Sequence, residues 1–102
     1  MEKKVVYVWD PGKNAGNIKK HRLSFETAVH AFSDPCSQIE PDHITDDGEC
    51  RWRITGLVGG TWLLVVVHTV HEKKDGTEII RIISARRAGP KEERRYEQNC
   101  PP

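Results

Sequence analysis

The sequence has no apolar run approaching the roughly 18–20 residues that a membrane-spanning helix requires. The segment from Met1 to Asp10 is basic and then apolar only from Val5 to Trp9, too short for the core of an export signal. No membrane association and a cytoplasmic location are therefore expected. Cysteine is scarce: Cys36, Cys50 and Cys100 are an odd count and a poor disulfide framework for a small secreted domain, so reduced thiols are expected. A zinc site from Cys36, His43 and Cys50 would match no known ligand spacing. There is no Gly-rich phosphate loop and no nucleophile elbow, and nothing calls for a metal or cofactor. With 36% hydrophobic residues in 102, there is material for one domain, residues 1–102, and not two.

What apolar character there is lies concentrated in Trp62-Leu63-Leu64-Val65-Val66-Val67 and Ile79-Ile80-Arg81-Ile82-Ile83. Wholesale disorder is excluded by such runs. The net charge of +1 hides a segregation. Residues 34–50 hold six acids and no Lys or Arg, and they separate a basic first third from a basic C-terminal segment. A basic surface attracts polyanions such as RNA, and equally can be ordinary solvated surface. The acidic stretch reads mainly as a solvated loop, with shielding of the basic site as the alternative.

Lys4 to Trp9 has the β-branched and aromatic content of a strand. Asp10-Pro11 opens a helix, with Asp as N-cap and Pro at the first helical position, continuing to His21 on few anchors, mainly Ala15 and Ile18. Ser24 caps a second helix, in which Phe25, Ala28, Val29 and Phe32 form one apolar face until Asp34-Pro35 ends it. Residues 36–49 read as a long loop with at most a short strand near Ile39. Arg51 to Val58 alternates at strand period, Gly59-Gly60 signals a two-residue hairpin, and Thr61 to Val70 returns as a central strand. After the Lys73-Gly76 turn comes a last strand to Arg86, then a helix opened by Pro90. The expected order is β-α-α-β-β-β-α, an α+β domain with helices on an antiparallel-rich sheet.

Strand alternation in the last strand puts Arg81, Ile83 and Ala85 on one face and Ile80, Ile82, Ser84 and Arg86 on the other. An arginine in an Ile-rich strand either pairs with a carboxylate, such as Asp10 or Glu49, or opens onto a site. Its planar fork suits phosphate. His21, after Lys19-Lys20, is either a helix-terminal cation or a group that moves protons near neutral pH. His68 reads as a packed core histidine. Tyr96 reads as packing, with presentation of its hydroxyl to substrate as the alternative. Trp9, Trp52 and Trp62 read as core, with base stacking as the alternative.

Trp9-Asp10-Pro11 with Lys13 and Asn17, Lys20-His21, Phe25, Ala28, Phe32-Ser33-Asp34-Pro35, Gly48-Glu49, Leu63 to Thr69, Arg81 to Ala88, and Glu92 with Tyr96 together resemble the BrnT family of bacterial type II toxins. The resemblance covers nearly the whole chain in order. It implies a RelE-like fold and metal-independent ribonuclease activity that blocks translation and growth. It also implies a BrnA-like ribbon-helix-helix antitoxin, through which the pair contacts operator DNA. On that footing Arg81 and Arg86 would stabilise the transition state and His21 would transfer protons. Lys20, Arg87 and Tyr96 would contact the RNA. The rival reading is a non-catalytic antitoxin-binding partner or corepressor. The sequence departs from the family's pattern at Arg22, where glycine is common, at Gly89 before Pro90, in the longer turn at Glu72 to Asp75, and in the Cys100-Pro101-Pro102 tail.

Overall fold

The computed structural model describes residues 3–100. Strand β1 (Val5–Val8) leads into helix α1 (Pro11–His21), helix α2 (Phe25–Ala28) and a 3₁₀ turn (Val29–Ser33). Four strands follow, β2 (Gln38–Ile44), β3 (Cys50–Val58), β4 (Trp62–Glu72) and β5 (Glu78–Arg87), and helix α3 (Pro90–Asn99) ends the order. The strands form one sheet, β1-β5-β4-β3-β2, with β1 parallel to β5 and the other neighbours antiparallel. The α+β architecture holds, with one strand more than expected. Residues 38–44 are not loop. They form an edge strand on β3, pairing Gln38 with Thr55 and Glu40 with Arg53. Pro41 is tolerated because an edge strand needs ladder hydrogen bonds on one side only, and the register shifts between Pro41 and His43.

Both expected helix starts are present. The Asp10 carboxylate accepts from the Lys13 N–H, and the Ser24 hydroxyl accepts from the Thr27 N–H. Gly59 and Gly60 both adopt positive φ, 63° and 71°, but Val58 pairs with Trp62, so a three-residue turn, Gly59 to Thr61, joins the strands where two residues were expected. Gly56 is needed for another reason. A Cβ there would lie 2.4 Å from the carbonyl oxygen of Ala31, so only glycine lets the 3₁₀ turn pack on β3.

The core lies between α1, α2 and the 3₁₀ turn on one side and β3, β4 and β5 on the other. Phe25, Ala28, Ala31, Ile54, Leu64, Val66, Ile82 and Ala85 are buried in it. In the second helical segment Ala31 is buried and Val29 is not, because the tighter 3₁₀ turn after Ala28 breaks the expected i+4 spacing. Trp9 packs edge-on against Phe25, and Phe32 against His68. His68 is the expected core histidine, 1% exposed, with its Nδ1 3.2 Å from the carbonyl of Val66. Burial holds its pKa below the ordinary imidazole value.

The face assignment in β5 needs correcting. The β4–β5 register shifts where Val67 opposes Ser84 and His68 opposes Ile82, leaving Ile83 as a bulge. Beyond the bulge the alternation changes phase. Ile80, Ile82 and Ala85 oppose Val70, His68 and Val66 on the core face. Arg81 and Arg86 oppose Thr69 and Val65, so they share the other face. Helix α3 leans over that face and buries none of its residues. Polar contacts hold it: Arg95 to Glu40 at 2.7 Å, Tyr96 to Asp34 at 2.6 Å and Arg86 to Glu92 at 2.8 Å. A disulfide between Cys36 and Cys100 closes its far end, where free thiols were expected; the return of α3 toward the end of the 3₁₀ turn brings the two Cα atoms to 5.5 Å.

Candidate nucleic-acid site at the end of α1 and β5

Strand β1 pairs β5 only as far as Arg81, which leaves the later edge of β5 open. Asn17 of α1 occupies that edge. Its amide nitrogen donates to the Ala85 carbonyl at 3.0 Å and to the Leu23 carbonyl at 2.8 Å, and its oxygen accepts from the Ala85 N–H at 3.1 Å. One carboxamide thus stands in for a neighbouring strand and fixes the last turn of α1 beside the residue before Arg86. Asn17 is the buried anchor of α1; Ala15 and Ile18, expected in that role, are exposed.

The junction forms an open groove of about 470 Å³ lined by Lys20, His21, Arg22, Arg86 and Arg87. No carboxylate is among the lining residues. Arg22 enters at the C-cap of α1 in the left-handed region, φ 60°, with its N–H on the Ile18 carbonyl. A helix end in this conformation normally calls for glycine. In this chain a fourth cation takes its place beside Lys20, Arg86 and Arg87.

Arg86 reaches α3. Its Nη1 and Nη2 donate to Glu92 Oε1 and Oε2, both at 2.8 Å. The Arg86 guanidinium holds the Glu92 carboxyl down to about 2, and Glu92 in turn raises Arg86. Glu92 also accepts from the Gly89 N–H at 2.7 Å, capping α3. Arg87 lies with its guanidinium 4.0 Å over the Trp62 ring.

The structure therefore brings together Lys20, His21, Arg86 and Arg87. Arg81 stands apart, about 15 Å from Arg86 along the strand at about 3.3 Å per residue. Its Nη2 donates to both carboxylate oxygens of Glu49, at 2.9 and 3.1 Å, the pairing foreseen as one option. Tyr96 donates to Asp34 Oδ2, which also accepts from the Leu57 N–H at 2.7 Å. Burial and the Asp34 carboxylate push the Tyr96 hydroxyl up to about 12. Burial works to raise Asp34, but hydrogen bonds from Leu57, Tyr96 and Cys36 outweigh it and keep its carboxyl below the usual range. The acidic stretch is not merely solvated: Glu40 pairs with Arg53 and Arg95, Asp42 with Arg53, and Glu49 with Arg51 and Arg81.

Sequence reasoning missed Asn17 as a clamp, Glu92 as the partner of Arg86, and Trp62, which is 46% exposed rather than core. Only Glu92 carried a local signal, its place three residues after the helix cap. Among the described residues no three His, Cys, Asp or Glu side chains come together as a metal-binding group, and Cys36 is bonded to Cys100. No helix among them is long and apolar enough to cross a membrane.

Comparison with known proteins decides the family. Residues 9–92 match the model of the ribonuclease toxin BrnT of type II toxin–antitoxin systems. The chain belongs to the BrnT family. The toxin is also similar in fold to the crystal structure of the ribonuclease toxin BrnT from Brucella abortus. That match has a TM-score of 0.57 at 24% identity and covers 85% of this chain and 99% of the other. No curated protein matches significantly. The matched span takes in Lys20, His21, Arg22, Arg86, Arg87 and Glu92, and ends inside α3, so the toxin's groove lies wholly within the family region while most of α3 lies outside it.

Proposed function

We propose that the toxin cuts single-stranded RNA at the groove between α1 and β5, without a metal ion, in the manner of RelE-like ribonucleases, and so stops translation and growth in the cytoplasm. The observation that carries this reading is a groove lined by four permanent cations and one histidine with no lining carboxylate. Such a surface fits a phosphodiester. In the reaction the ribose 2′-oxygen attacks the adjacent phosphorus and the bond to the 5′-oxygen breaks, leaving a 2′,3′-cyclic phosphate and a 5′-hydroxyl. His21 removes the 2′-hydroxyl proton as general base, since imidazole exchanges protons near neutral pH. Water supplies the proton to the leaving 5′-oxygen. Arg86 and Arg87 hold the phosphate and the charge that develops on it, with Lys20 and Arg22 adding field at the groove's edge. Arg81 has no part in this scheme, because it stands outside the groove, paired with Glu49.

The partner is an antitoxin of the BrnA type, carrying a ribbon-helix-helix DNA-binding domain, and the complex reaches operator DNA through it. An acidic segment of that antitoxin would cover the cationic groove. The test is induction of this chain alone in a bacterial host, with and without its antitoxin, followed by cleavage of synthetic RNA by purified protein in excess EDTA. Growth arrest relieved by the antitoxin, and EDTA-resistant cleavage leaving cyclic phosphate ends, are expected. Folded protein that neither arrests growth nor cuts RNA would overturn the reading and favour a non-catalytic corepressor.

A further inference from the structure

Arg87 lines a second cleft besides the cationic groove. That cleft has a volume of about 520 Å³ and is walled by Leu57, Trp62, Leu63, Tyr96, Glu93 and Glu97. Trp62 opens β4 after the turn of Gly59, Gly60 and Thr61, and nearly half of its surface is exposed. An exposed indole costs hydrophobic free energy that burial would recover, and here the Arg87 guanidinium lies 4.0 Å over its ring. Opposite it stands one side of α3. Tyr96 is fixed there by its bond to Asp34, so the wall is set in place. Glu93 and Glu97, one helical turn apart on the same side, accept no hydrogen bond from a side chain and form no ion pair among the described residues. Like charges at this spacing repel slightly.

We propose that this cleft is a nucleobase subsite, and that it selects guanine. The proposal rests on the reading of the neighbouring groove as the place of the RNA phosphate. Arg87 belongs to both spaces, so a nucleotide whose phosphate lies against Arg86 and Arg87 sets its base beside Trp62. A base stacks on an indole ring, and also on a guanidinium plane, in single-stranded RNA whose bases are free to splay out. Stacking tolerates any base; the carboxylates do not. An ionised carboxylate only accepts hydrogen bonds. Guanine offers two adjacent donors on its Watson–Crick edge, N1–H and the 2-amino group, which one carboxylate takes together. Adenine and cytosine present a single amino donor beside an acceptor, and uracil presents one imino donor between two acceptors. Glu93 and Glu97 thus reward guanine and oppose the other bases with unpaired acceptors.

The test uses the full chain and short single-stranded oligonucleotides in which one position carries guanine, inosine, adenine, cytosine or uracil. Affinity is read by fluorescence anisotropy on uncleavable 2′-O-methyl versions, and kcat/KM on cleavable ones, at one fixed salt concentration. Guanine is expected to bind about tenfold better than adenine, with inosine in between because it lacks the 2-amino group. Trp62→Ala should weaken binding of every oligonucleotide about tenfold, and Trp62→Phe should restore most of it. Glu93→Gln with Glu97→Gln should abolish the preference for guanine, and binding of the uracil oligonucleotide should rise, because the carboxylates that oppose it are gone. Circular dichroism of each variant checks its fold. Equal affinity for all five bases, or unchanged binding by a folded Trp62→Ala, would overturn the proposal. Base-selective binding without cleavage would support the subsite and sink the nuclease reading. Cleavage with no base preference would do the reverse.

Discussion

Glu92 grips Arg86 at two points, each carboxylate oxygen receiving one guanidinium N–H at 2.8 Å. This is the geometry in which arginine binds a phosphate. An RNA phosphate arriving in the groove must therefore take Arg86 from Glu92. Arg86 is about half-exposed, so the pair is worth at most about 1 kcal/mol. Glu92→Gln keeps an acceptor for the Gly89 N–H and removes the competing charge. Affinity for an uncleavable RNA should rise about two- to fivefold, measured by anisotropy at low salt. Weaker binding would mean that Glu92 assists the RNA instead.

The two strand arginines should separate cleanly in kinetics. Arg86→Ala removes a cation from the groove and should lower kcat/KM on RNA about 10²- to 10³-fold. Arg81→Ala breaks only the exposed pair with Glu49 and should leave the rate within about threefold. Both variants are surface truncations that should fold. Single-turnover cleavage decides, and equal losses at the two positions would return Arg81 to the site.

Acid should loosen α3 before it unfolds the rest. Glu92, held down by Arg86 to about 2, and Asp34, held below its usual value, tie α3 to the sheet and to the 3₁₀ turn. Carboxyls with depressed native pKa values stabilise the fold fully above the unfolded pKa, near 4–4.5. That contribution is lost as pH falls from there toward about 2. Thermal melts should thus show a falling Tm between about pH 4.5 and pH 2, and Glu92→Gln should flatten the decline. A Tm independent of pH over that range would show that these contacts carry no stability.

The sheet's centre was legible in the sequence because β4 and β5 carry dense apolar runs, and the first two helix starts because Asp10 and Ser24 are strong caps. Three features were not, each for a physical reason. Strand β2 reads as loop because Pro41 and its acids are allowed only on an edge whose carboxylates meet Arg53 and Arg95. The face of Arg86 was misread because strand period assumes an unbroken ladder, and the Ile83 bulge shifts the phase. The Cys36–Cys100 bond depends on where α3 returns, which spacing along the chain does not encode. Of the groove, the individual cations were visible. Their meeting was not, because the Asn17 clamp joins residues 68 positions apart.

Arg22 tests the exchange between stability and charge. A side chain in the left-handed region costs about 1–2 kcal/mol, and glycine escapes that cost at the price of a more flexible unfolded chain. Arg22→Gly should therefore raise stability by about 1 kcal/mol in urea unfolding. The same change removes one cation from the groove, so RNA binding should weaken and its salt dependence should become shallower by about one phosphate contact. If stability falls, the Arg22 side chain holds the turn by contacts beyond its backbone bond to Ile18.

Asn17 should be the most sensitive position of the groove for stability. It is 7% exposed and satisfies the Ala85 N–H, the Ala85 carbonyl and the Leu23 carbonyl at once. Asn17→Ala leaves these groups without partners, and each buried loss costs about 1–3 kcal/mol. Water entering beside the truncated side chain recovers part of that, so a net loss of about 2–4 kcal/mol is expected at unchanged m value. Asn17→Leu restores the volume but none of the bonds, and it should be no better than alanine. A leucine variant as stable as the wild type would show that Asn17 acts by packing, and that the open edge of β5 needs no partner.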